Sequence, residues 1–528
     1  MSPAGAPESL TAVNPTTGEP LGSVAVTAPA AVQDVVDAVG RVQPLWAQLR
    51  LADRAHYMRR AAQAVIDERD ELTELLAREQ GRPRAEVAVA ELLASVEALR
   101  WLAQAGPRIL DDDSTGVDRA LFPLTRVRVA HEPLGVVAVI GATSAPLAQP
   151  LGQIATALMA GNGVVLKPAP RACLAGERIE RLVARAGLPE GLVRIIHGGA
   201  ATGAALARSS VAKVLFTGRP PAGAEVARAC AEAGHDVVLE LGGHDAMLVL
   251  DDAPLARAVP AAVWAAFAAA GQARGSLKRV FVETGPADRL RDGIVNGARD
   301  LRVGDPLDSR TAVGPLASPA RLARVQALVN DAVSRGATLH CGGVAQPAGV
   351  SGPFYAPAVL TGVPAEAPLM REPAPGPVLA MSTVKSADEA IARANDCPLG
   401  LGVSVWTGDR HQGARIAGEL QCAMVWLNDH LIGPSIPQGP WGGVKGSGEG
   451  RSLGVAGLHA CVRPKLITWE PPVGRAPWWF PYDESLDRAV DAVVQLRSVR
   501  DSDRQRGLRQ GLLPLARVLA RNRRAGRG

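Results

Sequence analysis

The chain has 528 residues, 47% hydrophobic and 21% charged, with a net charge of +5. This is an ordinary globular composition, long enough for two or three domains and too weakly charged to point to a nucleic-acid partner. Its six cysteines are far apart with no CxxC pair, so reduced thiols in a cytoplasmic protein are expected rather than a zinc site or a disulfide framework. The N-terminus has no basic region followed by an apolar run, and no stretch of about 20 apolar residues occurs, so neither a secretory signal nor a membrane span is expected.

The first elements are a strand pair and then helices. Asn14-Pro15-Thr16-Thr17-Gly18-Glu19 is turn chemistry, and Leu21 to Val26 alternates as a strand does. Val32, Val35, Val36, Val39 and Val42 recur at helical spacing, a second helix is expected from about Arg54 to Arg78, and a third follows Pro83. Asp111 to Asp113 reads as an exposed turn leading to an extended strand from Leu121 to Val129.

Strands and helices then alternate. The strands are Val136–Ile140, Gly163–Leu166, Val193–His197, Val211–Phe216 and Asp236–Leu241, with helices between them. Short β-rich apolar runs separated by helices predict a parallel sheet covered on both faces, with ligands at the carboxyl ends of its strands. The loop Thr217-Gly218-Arg219-Pro220-Pro221-Ala222-Gly223 joins a strand to a helix; it reads either as a phosphate-binding turn or as a plain one. Glu240, at a strand end beside Gly242-Gly243, reads either as a functional carboxylate or as a cap for a neighbouring helix.

A small-residue helical segment from Trp264 leads into Gly271-Gln272, a polar turn and the strand Arg279–Val282, so the loop presents Arg274. Three prolines stiffen the stretch from Glu372 to Pro377, Met424–Asn428 is another buried strand, and Pro440–Gly448 is a glycine-rich loop. Beyond Trp469 come the aromatic run Pro477–Tyr482 and a helix from Glu484 to Leu496. The last 32 residues carry ten Arg against two Asp. That tail reads either as a solvated segment or as a basic amphipathic segment for a membrane surface or acidic partner.

Taken in order, N-P-T-T-G-E, L-K-P at Leu166–Pro168, F-T-G-x4-G at Phe216–Gly223, E-L-G-G at Glu240–Gly243, G-Q-x6-R at Gly271–Arg279, F-Y-x-P-x-V-L at Phe354–Leu360 and G-G-x-K-x-S-G at Gly442–Gly448 resemble the aldehyde dehydrogenase superfamily over residues 12–470. The resemblance implies an α/β fold with a Rossmann-type cofactor domain over residues 1–107 and 131–240 and an α/β catalytic domain over 241–440. It also implies a small bridging and oligomerisation sheet from 108–130 and 456–470, leaving 471–528 as a C-terminal extension.

It implies a chemistry too. A cysteine thiolate attacks an aldehyde, an Asn side chain holds the oxyanion, hydride passes to NAD or NADP, and a glutamate activates water to release the acid. On this pattern Glu240 takes the general-base position and Lys167 the ribose lysine, with Gly218, Gly223 and Leu241 on the cofactor side and no metal site. The nucleophile position, however, falls on Arg274, and the oxyanion asparagine on Ser144. Arg219 replaces a small residue and crowds the pyrophosphate, Pro170 replaces a ribose glutamate, and Pro373 and Pro375 replace the second Glu and the Phe of E-E-x-F-G-P.

None of the six cysteines lies at a matching position. Arginine stays protonated and offers no lone pair for attack, and it is expected to pair instead with Glu240. The resemblance therefore implies a catalytically degenerate member acting as a non-catalytic subunit or ligand-binding protein, assembled as a homo-oligomer or with a paralogue. Two alternatives stay open: an active enzyme with another nucleophile, and a scaffold docking through its basic tail.

Overall fold

The computed structural model describes residues 8–119, 122, 124–430, 436–472, 476, 478–480 and 482–524. Two sheets dominate. In the first, the strands run in the order Gly448–Glu449, Asp236–Leu241, Lys213–Gly218, Val136–Ile140, Gly163–Lys167 and Val193–Ile195. All pairings are parallel except that of Gly448–Glu449. Val136–Ile140 is wholly buried, as its unbroken apolar run requires of a strand covered on both faces. Later strands add to both of its sides. The chain therefore reverses direction between Val136–Ile140 and Lys213–Gly218, and a crevice opens there at the carboxyl ends.

The second sheet has seven strands, in the order Thr338–Ala345, Phe354–Thr361, Val378–Val384, Leu277–Glu283, Asp245–Val249, Gly402–Trp406 and Met424–Leu427. Only Thr338–Ala345 is antiparallel. Its core packs the strand residues Met247, Leu248, Val280 and Phe281 against Ala262, Ala266 and Phe267 of helix Leu255–Phe267.

Residues 1–111 and 131–465 form one compact unit, and 112–130 with 466–528 form a second. In the small unit Asp113–Ser114 pairs with Arg128 and Val129, the Arg126 guanidinium stacks over Trp469, and Glu470 accepts a hydrogen bond from Thr125. Helix Glu484–Leu496 packs against helix Asp501–Arg524 through the buried Ala489 and Ala492.

Two expectations need correction. The helix expected over Arg54–Arg78 is two helices, Leu51–Asp67 and Arg69–Gln80, broken at Glu68 (φ −97°, ψ 13°). Arg178 and Arg185 both reach the Glu68 carboxylate, which holds the kink. The strand expected from Leu121 begins at Arg126 and runs to Pro133; Leu121 and Pro123 lie outside the described residues, as do Pro477 and Pro481 of the aromatic run. The side chains of Leu512, Leu515, Val518 and Leu519, which carry the expected amphipathic pattern, also lie outside them.

Candidate functional site

The site grows from the carboxyl ends of the first sheet. Lys167 ends one strand, the loop carrying Ser144 follows Ile140, Gly218 ends a third, and Glu240-Leu241 ends a fourth. The loop with Arg274 faces them from the second sheet, between helix Leu255–Phe267 and strand Leu277–Glu283. Arg274 separates two cavities. One is a tunnel of about 340 Å³ lined mainly by Ala85, Val89, Ala94, Ala148, Trp264, Trp441 and Leu453; the other is a groove of about 990 Å³ along the sheet edge. Arg274, Ala273 and Ser144 line both.

The loop is held rigidly. Ala269 and Ala270 adopt φ of 52°, a left-handed conformation that costs a non-glycine residue about 1–2 kcal/mol each. The half-buried Glu86 carboxylate offsets this by accepting the Ala269 N–H at 2.8 Å, and desolvation pushes the Glu86 acid above its ordinary pKa. Gly271 (φ 65°) must be glycine, because a Cβ there would lie 2.3 Å from the Gly376 carbonyl oxygen. Lys278 donates to the Gly271 and Gly376 carbonyls at 2.6 and 2.9 Å and is fully desolvated, which pushes its pKa down to about 7. Gln272 donates to the Ala269 and Pro315 carbonyls.

Arg274 forms an ion pair with Glu240, and a second N–H reaches the Glu240 carbonyl at 3.2 Å. The guanidinium lies over the Trp441 ring, 5.2 Å from its centroid. The pair is buried, with side chains 12% and 1% exposed. Glu240 also accepts from Gln149 at 2.8 Å, Gln153 at 3.2 Å and the Ser452 hydroxyl. A carboxylate has about four lone-pair sites. All are occupied, so a water approaching the carboxylate must displace one of these donors.

Ser144 is carried on a loop fixed from below. Its carbonyl accepts from Arg82, which pairs with the buried Glu91 at 2.8 Å, and Glu91 accepts the Leu147 and Ala148 N–H groups at 3.1 and 2.8 Å. Lys167 is buried, donating to the Pro168 and Gly198 carbonyls at 2.7 and 3.1 Å, and desolvation pushes its pKa down to about 8.

Between about 8 and 10.5 the unfolded chain therefore holds a proton that the folded chain has released, so stability rises with pH across that window. Relative to Lys167→Met, the wild type should gain up to about 3 kcal/mol from pH 8 to 10.5 in denaturant titrations. Parallel pH slopes for the two proteins would count against a desolvated amine.

Lys167, Gly218 and Arg219 line the groove with Arg274, whereas Gly223 and Leu241 do not. Those two set its wall instead. A Cβ on Gly223 would stand 2.6 Å from the Leu241 side chain, so glycine lets helix Pro220–Ala233 lie against the strand. Arg219 is exposed at the groove's edge rather than filling it. Sequence reasoning missed Glu86, Glu91, Gln149, Gln153, Trp441 and Ser452. The spacing of Gln149 and Gln153, four apart on one helix, was the sole signal, and it is unspecific.

A parallel sheet with a groove at its switch point, joined to a second sheet that offers one loop into a tunnel, defines a two-domain nucleotide-binding oxidoreductase architecture. The model of the aldehyde dehydrogenase family matches residues 3–467, and the chain belongs to that family. It is 34% identical over 481 residues to a betaine aldehyde dehydrogenase of Cereibacter sphaeroides, covering 90% of this chain and 96% of that one. It is 33% identical over 464 residues to the NADP(+) succinate-semialdehyde dehydrogenase of Escherichia coli, covering 87% and 94%. Among solved structures it resembles the Mycobacterium tuberculosis aldehyde dehydrogenase complexed with NAD+ (TM-score 0.83, 32% identity, 87% of this chain and 94% of that one).

NAD(P) is the cofactor by this family resemblance. The groove fits a nucleotide by size and charge, with basic side chains along it and Glu225 as the one carboxylate lining it among the described residues. Among those residues no helix is long and apolar enough to cross a membrane.

Proposed function

We propose that this chain keeps the family's fold and nucleotide groove but does not carry out thioester chemistry, and acts as a ligand-binding or non-catalytic member. The observation that carries this reading is the Arg274–Glu240 ion pair at the inner end of the tunnel. The pair removes two functions at once. The nucleophile position holds a permanent cation, and the general-base position holds a carboxylate whose acceptor sites are already taken. Losing the nucleophile of a covalent catalyst costs on the order of 10⁶ in turnover, and losing an oxyanion donor about 10²–10³.

No cysteine lines either cavity among the described residues. Burial holds the thiols of Cys173, Cys230, Cys341, Cys422 and Cys461 above their ordinary pKa, the reverse of what activates a thiolate. Ser276, the hydroxyl nearest Arg274 in the chain, lines the groove but has no hydrogen-bond partner among the described residues, and hence no base to activate it.

A bound NAD(P) supplies a hydride acceptor. The residues that would hold it are Lys167 for a ribose, and Gly218 and Arg219 for the phosphates. Arg274 caps the tunnel and Trp441 shields the ion pair from water, so the tunnel can admit a small, mostly apolar ligand without reacting with it.

The test is direct. The purified chain, given NAD or NADP and a panel including betaine aldehyde and succinate semialdehyde, should reduce neither cofactor above the rate without protein. Turnover that persists after thiol alkylation, or is abolished by it, would overturn the reading.

A further inference from the structure

The groove contains an uncompensated cluster of cations. Of the arginines that line it, Arg208 pairs with Glu232 at 3.2 Å, Arg324 pairs with Glu372, and Arg274 pairs with Glu240. Arg171, Arg219, Arg228 and Arg321 have no carboxylate within ion-pair distance among the described residues. Of these, Arg171, Arg219 and Arg321 are close to one another. Burial lowers the proton affinity of Arg321, and the charges of Arg219 and Arg171 lower it further. Arg171 donates to the Ala317 carbonyl, while Arg321 donates at 2.8 Å to the Gln272 side-chain oxygen that also accepts the Ala317 N–H. Two of the three are thus tied to one loop, and the third lines the same groove near Arg321. Like charges held together without a counterion raise the free energy of the empty site and favour an anion in it.

Neighbouring residues change in the same direction. Pro170 stands where the family pattern places a ribose glutamate, and Pro373 where it places the second Glu of E-E-x-F-G-P. Helix Pro220–Ala233 opens with two prolines, so two of the backbone N–H groups that a helix N-terminus offers to a phosphate are absent, and Arg219 stands just before them. Hydroxyl acceptors and neutral backbone donors have given way to guanidinium groups, whose planar fork matches a phosphate dianion.

We infer that Arg171, Arg219 and Arg321 form a binding site for a phosphomonoester carried on the nucleotide in the groove. This rests on the groove holding a nucleotide, but not on the absence of aldehyde turnover. The same chemistry has two sources: the ribose phosphate of NADP, and the terminal phosphate of a nucleoside triphosphate such as ATP.

Isothermal titration of the full chain with NAD, NADP and ATP at constant ionic strength separates the cases. NADP or ATP should bind at least about tenfold tighter than NAD, and the tighter of the two identifies which phosphate the site takes. Arg171→Ala and Arg321→Ala should each weaken that ligand by about tenfold, equivalent to ~1.4 kcal/mol, while leaving NAD affinity within a factor of about two. Unchanged NAD binding also shows that the variants are folded. Equal affinity for NAD and NADP with no gain for ATP overturns the inference while the groove remains a nucleotide site. Loss of NAD and NADP affinity to the same degree in the variants overturns it too. If none of the three ligands binds, both this inference and the nucleotide reading of the groove fail.

Discussion

Replacing Arg274 by cysteine and Ser144 by asparagine should create aldehyde-dependent NAD(P) reduction where the wild type shows none. Arg274→Cys removes the cation from the loop and gives the tunnel a thiol at the boundary of the groove. It also releases one acceptor site of Glu240, leaving Gln149, Gln153 and Ser452 to orient the carboxylate. The loop itself needs no rebuilding, because Glu86, Lys278 and Gln272 fix its backbone independently of the residue at 274.

The single variant should therefore show a thiol that a tunnel-sized electrophile alkylates faster than the native cysteines, together with weak ester hydrolysis. Adding Ser144→Asn should raise its turnover by about 10²–10³, the usual worth of one oxyanion donor. Stopped-flow alkylation and steady-state NAD(P)H formation measure the two effects separately. An alkylation rate no higher than that of the wild type would mean that position 274 does not open into the tunnel, and the site as described would be wrong.

The large features were legible because they are periodic. Alternating apolar runs and helical repeats locate five of the six strands of the first sheet but only two of the seven of the second, and Asp236–Leu241 and Glu484–Leu496 match the expectation at both ends. Features that depend on partners distant in sequence were not legible. Nothing in the run Arg54 to Arg78 signals the break at Glu68, which two arginines more than 100 residues away hold in place. The clamp on Glu240 draws on helix Ala148–Met159 and on Ser452, and the turn at Ala269 is fixed by Glu86, 183 residues earlier. Alanine carries no propensity for a left-handed φ, so that turn leaves no local trace. Position 274 was legible for the opposite reason: Gln272 and Arg279 fix its register so tightly that the wrong residue type stands out.

Breaking the ion pair from one side should cost far more stability than removing both partners. Glu240→Leu leaves a guanidinium, 12% exposed, facing two amides and a hydroxyl with no counter-charge. Removing one member of a buried pair typically costs about 3–5 kcal/mol, most of it the cost of leaving the other charge unpaired. Arg274→Met is milder, because Gln149, Gln153 and Ser452 still donate to the carboxylate and Trp441 packs against the thioether as it does against the guanidinium stem. The double variant Glu240→Leu with Arg274→Met carries no charge in the tunnel, and its stability should lie within about 1–2 kcal/mol of the wild type, since well-packed apolar replacements of buried pairs are often neutral. Urea titrations of the four proteins close the cycle, with an expected coupling of about 2–3 kcal/mol for partners in direct contact. Additive losses would place the two side chains out of contact, and with that contact gone Glu240 would again be free to act as a base.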